Sequence, residues 1–226
     1  MMHGHHMPIE QKREWPAAVG AFVDRARERL DKAPPERLFD PSMRFPRGDH
    51  ELSPEIAEFM ASVPTRHAAV LVPIIGHAEP TVLLTKRSSE LPDHAGQVAF
   101  PGGKIDPADP DPLATALREA EEEIGLASRH ATPLGYLDAY LSGTGFRIVP
   151  VVAVIEPGFE LQLNPSEVED TFEVPLAFLM SPDNHARHSR EWRGKQRSYY
   201  AMPFGERYIW GATAGILRNL YERLYR

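Results

Sequence analysis

Residues 113–124 place two incompatible demands on one helix. On a helical wheel at about 100° per residue, Leu113, Ala116, Leu117, Ala120 and Ile124 fall within an arc of roughly 100°, a compact apolar stripe. Glu119, Glu122 and Glu123 fall on the adjoining face, while Arg118 and Glu121 lie outside both groups. Gly125 follows in the position that ends a helix. The stripe has to be covered by another layer, and the acid face has to stay at an open edge. Immediately upstream, Gln97, Val98, Ala99 and Phe100 read as a short strand stopped by Pro101, Gly102 and Gly103. A strand, a glycine turn and a half-covered helix in that order point to a layered protein with both sheet and helix.

The rest of the chain fits that layering. Apolar runs over residues 68–75 and 81–85 read as neighbouring strands joined by a turn over residues 76–80. Further strands are expected over 134–140, 146–155 and 171–174, and a short helix over 175–180. A polar hairpin is expected over 188–192 and 198–202, and a closing helix over 212–224. Upstream, residues 16–30 carry helical spacing through Val19, Phe22, Val23, Ala26 and Leu30. Residues 34–49 read as a surface loop. A helix is expected over 53–62, with Ser53 as its N-cap and Pro54 at its first position. The order is α+β with a mixed sheet, since it lacks the strict alternation of a doubly wound sheet. The 22 prolines support this, because they cluster in the connections (Pro34, Pro35, Pro101, Pro107, Pro110, Pro112). Residues 1–64 are expected to form a helical N-terminal extension packed on a main domain of residues 65–226.

Charge and composition narrow the chemistry. The net charge is −7 over 226 residues, so there is no global basic field for nucleic acid or an anionic membrane. With no cysteine, disulfides, thiolate metal sites and cysteine nucleophiles are all absent. No window approaches the roughly 18–20 apolar residues of a membrane span, and the start lacks a signal-peptide pattern. A cytoplasmic location is the expectation. Three carboxylates at helical spacing repel one another, but a divalent cation between them reverses the sign. Carboxylate oxygens suit Mg²⁺ or Mn²⁺, which commonly takes further ligands from substrate phosphates. The Gly102–Gly103 pair lets backbone amides approach a phosphate with no Cβ in the way.

The segment resembles the Nudix box, whose pattern runs from a glycine through a loop glutamate to Arg-Glu, an aliphatic residue, Glu-Glu, and a closing Gly-aliphatic pair. Here Gly103 opens it, and Arg118, Glu119, Ala120, Glu122, Glu123, Gly125 and Leu126 fill the fixed positions at its end. Asp109 stands where glutamate is usual and the loop is one residue longer, so Asp109 is not taken as a ligand. The resemblance implies an α/β/α sandwich around a mixed sheet. It also implies Glu119, Glu122 and Glu123 as metal ligands for Mg²⁺ or Mn²⁺, and Arg118 as the residue that orients the glutamates. A second likeness covers about residues 65–225. The segments 83–88 and 96–103, the loop carrying Asp106 and Asp109, residues 172–176 and residues 209–216 are similar to coenzyme A pyrophosphatases.

That likeness makes Arg87, Gly102, Gly103 and Lys104 the expected substrate contacts, and coenzyme A or a derivative the leading substrate. The signature has a basic residue where this chain has Pro92, with His94 two residues later. The general base is left between Glu122 and Glu167, with Glu167 placed ahead of Glu169. Competing readings are another Nudix pyrophosphatase (on ADP-ribose, NADH or a dinucleoside polyphosphate) and a non-catalytic nucleotide-sensing module. A homodimer involving the N-terminal helices is compatible with the sequence.

Overall fold

The computed structural model describes residues 14–40, 47–54, 64–192 and 194–226. Among them, nine strands form one mixed sheet and three more form a second, smaller one. In chain order the elements are α1 (Ala17–Arg29), β1 (Arg47–Gly48), β2 (Arg66–Ile75), β3 (Thr81–Arg87), β4 (Val98–Ala99), β5 (Gly102–Lys104), α2 (Pro112–Ile124), β6 (Ala131–Tyr136), β7 (Tyr140–Leu141) and β8 (Phe146–Ile155). There follow β9 (Val168–Pro175), the one-turn α3 (Leu176–Leu179), β10 (Ala186–Trp192), β11 (Lys195–Phe204), β12 (Arg207–Trp210) and α4 (Gly211–Tyr225).

The centre is the parallel pair β2–β8, in register from Arg66↔Phe146 to Ile75↔Ile155. Both strands are near-continuous apolar runs, as expected of strands buried on both faces. Their side chains alternate between two cores. Ala69, Leu71 and Ile75 of β2, with Val149, Val151, Ala153 and Ile155 of β8, pack on the α2 stripe. Val72, Ile74, Val152 and Val154 point the other way, to α1 and α4. Each fully buried Leu, Ile or Val contributes roughly 1.5–3 kcal/mol relative to exposure, so the two cores together hold the sandwich closed.

Each central strand splits its outer edge between two neighbours. Strand β2 pairs with β5 at residues 68–70 and with β3 at 74–75. Strand β8 pairs with β7 at 147–148 and with β6 at 151–155. A proline falls in each gap, Pro73 on β2 and Pro150 on β8. Proline has no N–H to give a ladder, and in the gap none is required. The split on β2 is what brings the Gly102–Lys104 segment against the sheet beneath α2.

Several expectations are corrected. Residues 102–104 form a third partner of β2, where a strand stop was expected. Residues 34–49 are not purely a surface loop, since Arg47 and Gly48 pair in parallel with Tyr140 and Leu141, and Asp49 is buried. The strand expected over 134–140 is two strands, broken after Tyr136. The hairpin is extended by β12 into three strands. The helix expected beyond Pro54 lies outside the described residues. The Ser53 hydroxyl instead accepts from Ser198 N–H at 2.7 Å.

Candidate active site

Helix α2 starts where the sequence requires. Asp111 accepts from Ala114 N–H at 2.8 Å, Pro112 opens the first turn, and Gly125 ends the helix in the left-handed region. Its acid face meets β5 at two glycines. Gly102 has φ +150°, and a Cβ there would lie 2.4 Å from the Ala69 carbonyl oxygen. A Cβ on Gly103 would lie 2.4 Å from the Glu119 carboxylate. A side chain at Gly103 would therefore push the Glu119 carboxylate away, and one at Gly102 would push β5 off β2.

The three glutamates differ in surroundings. Glu123 is buried at the seam with the apolar stripe, and its Oε2 accepts from Gly102 N–H at 3.1 Å. Arg87 Nη1 stands 3.9 Å from its Oε1. Burial pushes the Glu123 carboxyl up to about 7, against the Gly102 amide and Arg87, with Glu119 and Glu167 adding to the rise. Burial also raises Glu119, opposed by Arg118 and reinforced by Glu122 and Glu167. Glu122 is the exposed member of the set.

Arg118 ties the set together. It grips Asp109 with Nε and Nη2, at 3.1 and 2.9 Å, while Nη1 reaches Glu119 at 3.0 Å and Glu122 at 3.1 Å. Asp109 also accepts from Thr115 at 2.8 Å, and these contacts, led by Arg118, hold its carboxyl at about 2. Asp109 is thus committed to positioning Arg118. As they stand, the glutamates do not converge on one point, and among the described residues no three His, Asp or Glu form a cluster able to close around a metal ion. Arg118 sits between Glu119 and Glu122, and Glu123 turns to the Gly102 amide.

Glu167 is brought to the same place from a distant loop. Asn164 N–H donates to the Glu123 carbonyl at 2.9 Å, and Ser88 N–H to the Glu167 carbonyl at 2.8 Å, docking the loop across the end of α2 and beside β3. The Glu167 charge is felt by both Glu119 and Glu123.

Next to this acid face a cleft of about 380 Å³ opens between the two sheets. Arg87, Gly102, Gly103 and Lys104 all line it, so the residues expected from sequence to contact substrate share one cavity. Arg87 Nε is buried with no hydrogen-bond partner among the described residues. His94 lines the cleft too, with Nδ1 at 3.1 Å from Gln97 Oε1. Sequence reasoning missed Asp49, Arg190, Arg197, Trp210 and the 142–144 loop, which form the remaining walls. Asp49 accepts from Tyr140 at 2.7 Å and Gly143 N–H at 2.6 Å, and pairs with buried Arg197. Of these wall residues, only Trp210 fell in a segment singled out from sequence, the likeness over residues 209–216.

A mixed sheet between helices, with a glycine strand under an arginine-tied set of glutamates, defines a class of phosphate-handling enzyme. The NUDIX domain family model matches residues 65–194. A Nudix hydrolase named NudL from Photorhabdus laumondii, itself uncharacterised, is 45% identical over 159 residues, covering 70% of this chain and 85% of its own. The NudL of Yersinia enterocolitica is 39% identical over 171 residues, covering 76% and 87%. Among solved structures, an Ap4A hydrolase of C. elegans in a binary complex is similar over 49% of this chain and 80% of its own, with 22% identity and a TM-score of 0.43. The chain belongs to the Nudix family. Membership makes it a hydrolase of the kind that acts on nucleoside diphosphate derivatives, and such enzymes generally use divalent metal ions.

Proposed function

We propose that the protein hydrolyses the diphosphate bond of coenzyme A or its derivatives, giving 4′-phosphopantetheine and 3′,5′-ADP. The single observation that carries this reading is the meeting of cleft and acid face. Arg87 lines the cleft, stands 3.9 Å from Glu123, and keeps a buried Nε without a partner among the described residues. A buried donor left unmatched costs roughly 1–3 kcal/mol, and a diphosphate oxygen in the cleft would supply its acceptor. The likeness of segments 83–88 and 96–103 to coenzyme A pyrophosphatases supports coenzyme A as the substrate within the family.

The donor set fits a hard divalent cation. Glu119, Glu122 and Glu123 offer only carboxylate oxygens, as Mg²⁺ or Mn²⁺ prefers. Burial and mutual repulsion raise Glu119 and Glu123, the mark of an acid pocket short of positive charge. A cation bound there would neutralise diphosphate charge and make an attacking water more acidic.

The chain's own residues supply the rest. Gly102 and Gly103 line the cleft with bare backbone that lets the Glu119 carboxylate and strand β2 close in on them, and Arg87 and Lys104 balance the charge of the phosphates. Arg118, held by Asp109, fixes Glu119 and Glu122 in place. A water oxygen attacks one phosphorus, the bond from that phosphorus to the bridging oxygen breaks, and the water proton passes to a carboxylate. Glu167 is the assigned base, with Glu122 the alternative.

The test is product analysis on coenzyme A, ADP-ribose, NADH and a diadenosine polyphosphate, with Mg²⁺, Mn²⁺ or chelator. Metal-dependent release of 3′,5′-ADP, well ahead of turnover on the others, is the expected result. Preference for another diphosphate would overturn the coenzyme A assignment and leave the hydrolase intact.

A further inference from the structure

The cleft carries more positive charge than a diphosphate site needs, in a protein whose net charge is −7. Its lining includes four cations, Arg87, Lys104, Arg190 and Arg197, against one carboxylate, Asp49. Asp49 is spent on Arg197 and Arg87 faces Glu123 at 3.9 Å, which leaves Lys104 and Arg190 as the lining cations with no carboxylate beside them among the described residues. Arg87 and Lys104 belong to the large sheet, beside the glutamates. Arg190 belongs to the other wall, on β10 of the small sheet.

Register places Arg190 with its neighbours. Arg190 pairs with Arg197, and Ala201 with Trp210, so strand alternation puts all four on one face. The Arg190 guanidinium lies over the Trp210 ring, 4.5 Å from its centroid. Tyr199 packs edge-on against Trp210, with ring centroids 5.2 Å apart, and braces it from the side. An arginine stacked on an indole has its orientation fixed, while its N–H fork stays free in the plane of the group. Among the described residues no carboxylate pairs with Arg190. An oriented, unneutralised guanidinium in a cleft matches a dianionic phosphate better than any neutral group.

We propose that Arg190, seated on Trp210, recognises a phosphate monoester that the substrate carries on its ribose in addition to the diphosphate. This rests on the reading above that the diphosphate lies at the Arg87 and Lys104 end of the cleft. Arg190 is a specificity residue for the second phosphate and takes no part in bond cleavage.

The experiment measures binding, in chelator, so that turnover does not enter. Full-length protein is titrated calorimetrically with 5′-AMP, adenosine 3′,5′-bisphosphate and adenosine 2′,5′-bisphosphate. The unaltered protein is expected to favour one bisphosphate over AMP by roughly tenfold to a hundredfold, the range for hydrogen bonds to a charged group, and the favoured isomer identifies the ribose hydroxyl. Arg190→Gln should erase that preference while AMP affinity stays the same, and Arg190→Lys should keep part of it. No preference in the unaltered protein would overturn the proposal. So would an Arg190→Gln variant that keeps the preference, or one that loses AMP and bisphosphate affinity in equal measure. Failure to hydrolyse coenzyme A would sink the proposed substrate, and is read in a separate assay on the same protein.

Discussion

Glu123 lies where the apolar stripe of α2 turns into its acid face, with its side chain only 4% exposed. A buried carboxylate with one amide donor and an arginine at 3.9 Å is incompletely compensated. For core stability alone, a neutral residue of the same shape would serve as well or better. Glu123→Gln keeps the volume and an oxygen that can accept from Gly102, while removing the charge. Thermal unfolding of that variant should match or slightly exceed the parent. Turnover with Mg²⁺ should fall by orders of magnitude, because the charge is what the cation requires. Near-normal turnover would remove Glu123 from the ligand set. Asp109 shows the opposite logic, since its charge is fully spent on Arg118 and Thr115.

At the scale of elements, local signals and long-range ones separate cleanly. Helix α2 was legible to within a residue, because Gly125 marks its end and its stripe has a single period; the Asp111 cap showed only in the structure. The central strands were legible from their apolar runs. Strand β5 was not, because Gly102 and Gly103 have no side chains to show a strand pattern and pair only because β2 offers a free edge. Asp49 was equally hidden, since its partners Tyr140, Gly143 and Arg197 are remote in sequence. That carboxylate now fastens the 142–144 loop and β11 to the segment before β2. Asp49→Ala would take a buried carboxylate from Arg197 and the acceptor from Tyr140 and the Gly143 N–H, and should cost about 3–5 kcal/mol in denaturant unfolding. A loss under 1 kcal/mol would show that Asp49 is not what fastens the loop to β11.

His185 links α3 to α4 in a similar way. Its Nε2–H donates to the Leu179 carbonyl at 2.7 Å, and Nδ1 accepts from Arg218 at 3.3 Å, which requires the neutral ring. Burial lowers its pKa below the ordinary histidine value, with the Leu179 bond opposing and the Arg218 charge adding to the effect. The unfolded chain therefore binds a proton near pH 6.5 that the folded chain still refuses. Stability from this residue is present above that pH and is lost as pH falls toward the lower folded value. The parent should lose more melting temperature between about pH 7.5 and 5.5 than His185→Gln does. Equal losses would assign the acid sensitivity to other groups.

Over the whole molecule, the segment before residue 65 is stitched into the main domain from three sides. Val19, Phe22, Val23, Ala26 and Leu30 belong to the same core as Val72, Val154 and Leu220. Asp31 exchanges backbone hydrogen bonds with Tyr136, and Arg223 of α4 reaches both the Arg29 carbonyl and Asp31. Arg47 pairs with Glu222, and β1 adds to the sheet beside β7. Among the described residues of the segment, the buried apolar side chains of α1 share their core with the sheet, so they have no separate core to melt. We therefore expect one calorimetric unfolding transition for the full chain, with calorimetric and van't Hoff enthalpies in agreement. Phe22→Ala empties a fully buried site on α1, and should cost about 3–5 kcal/mol. If the coupling holds, that loss lowers the single transition as a whole, and with it the temperature at which the nucleotide cleft stops binding AMP. Two resolved transitions, with Phe22→Ala moving only one of them, would instead make the segment an independent unit resting on the domain.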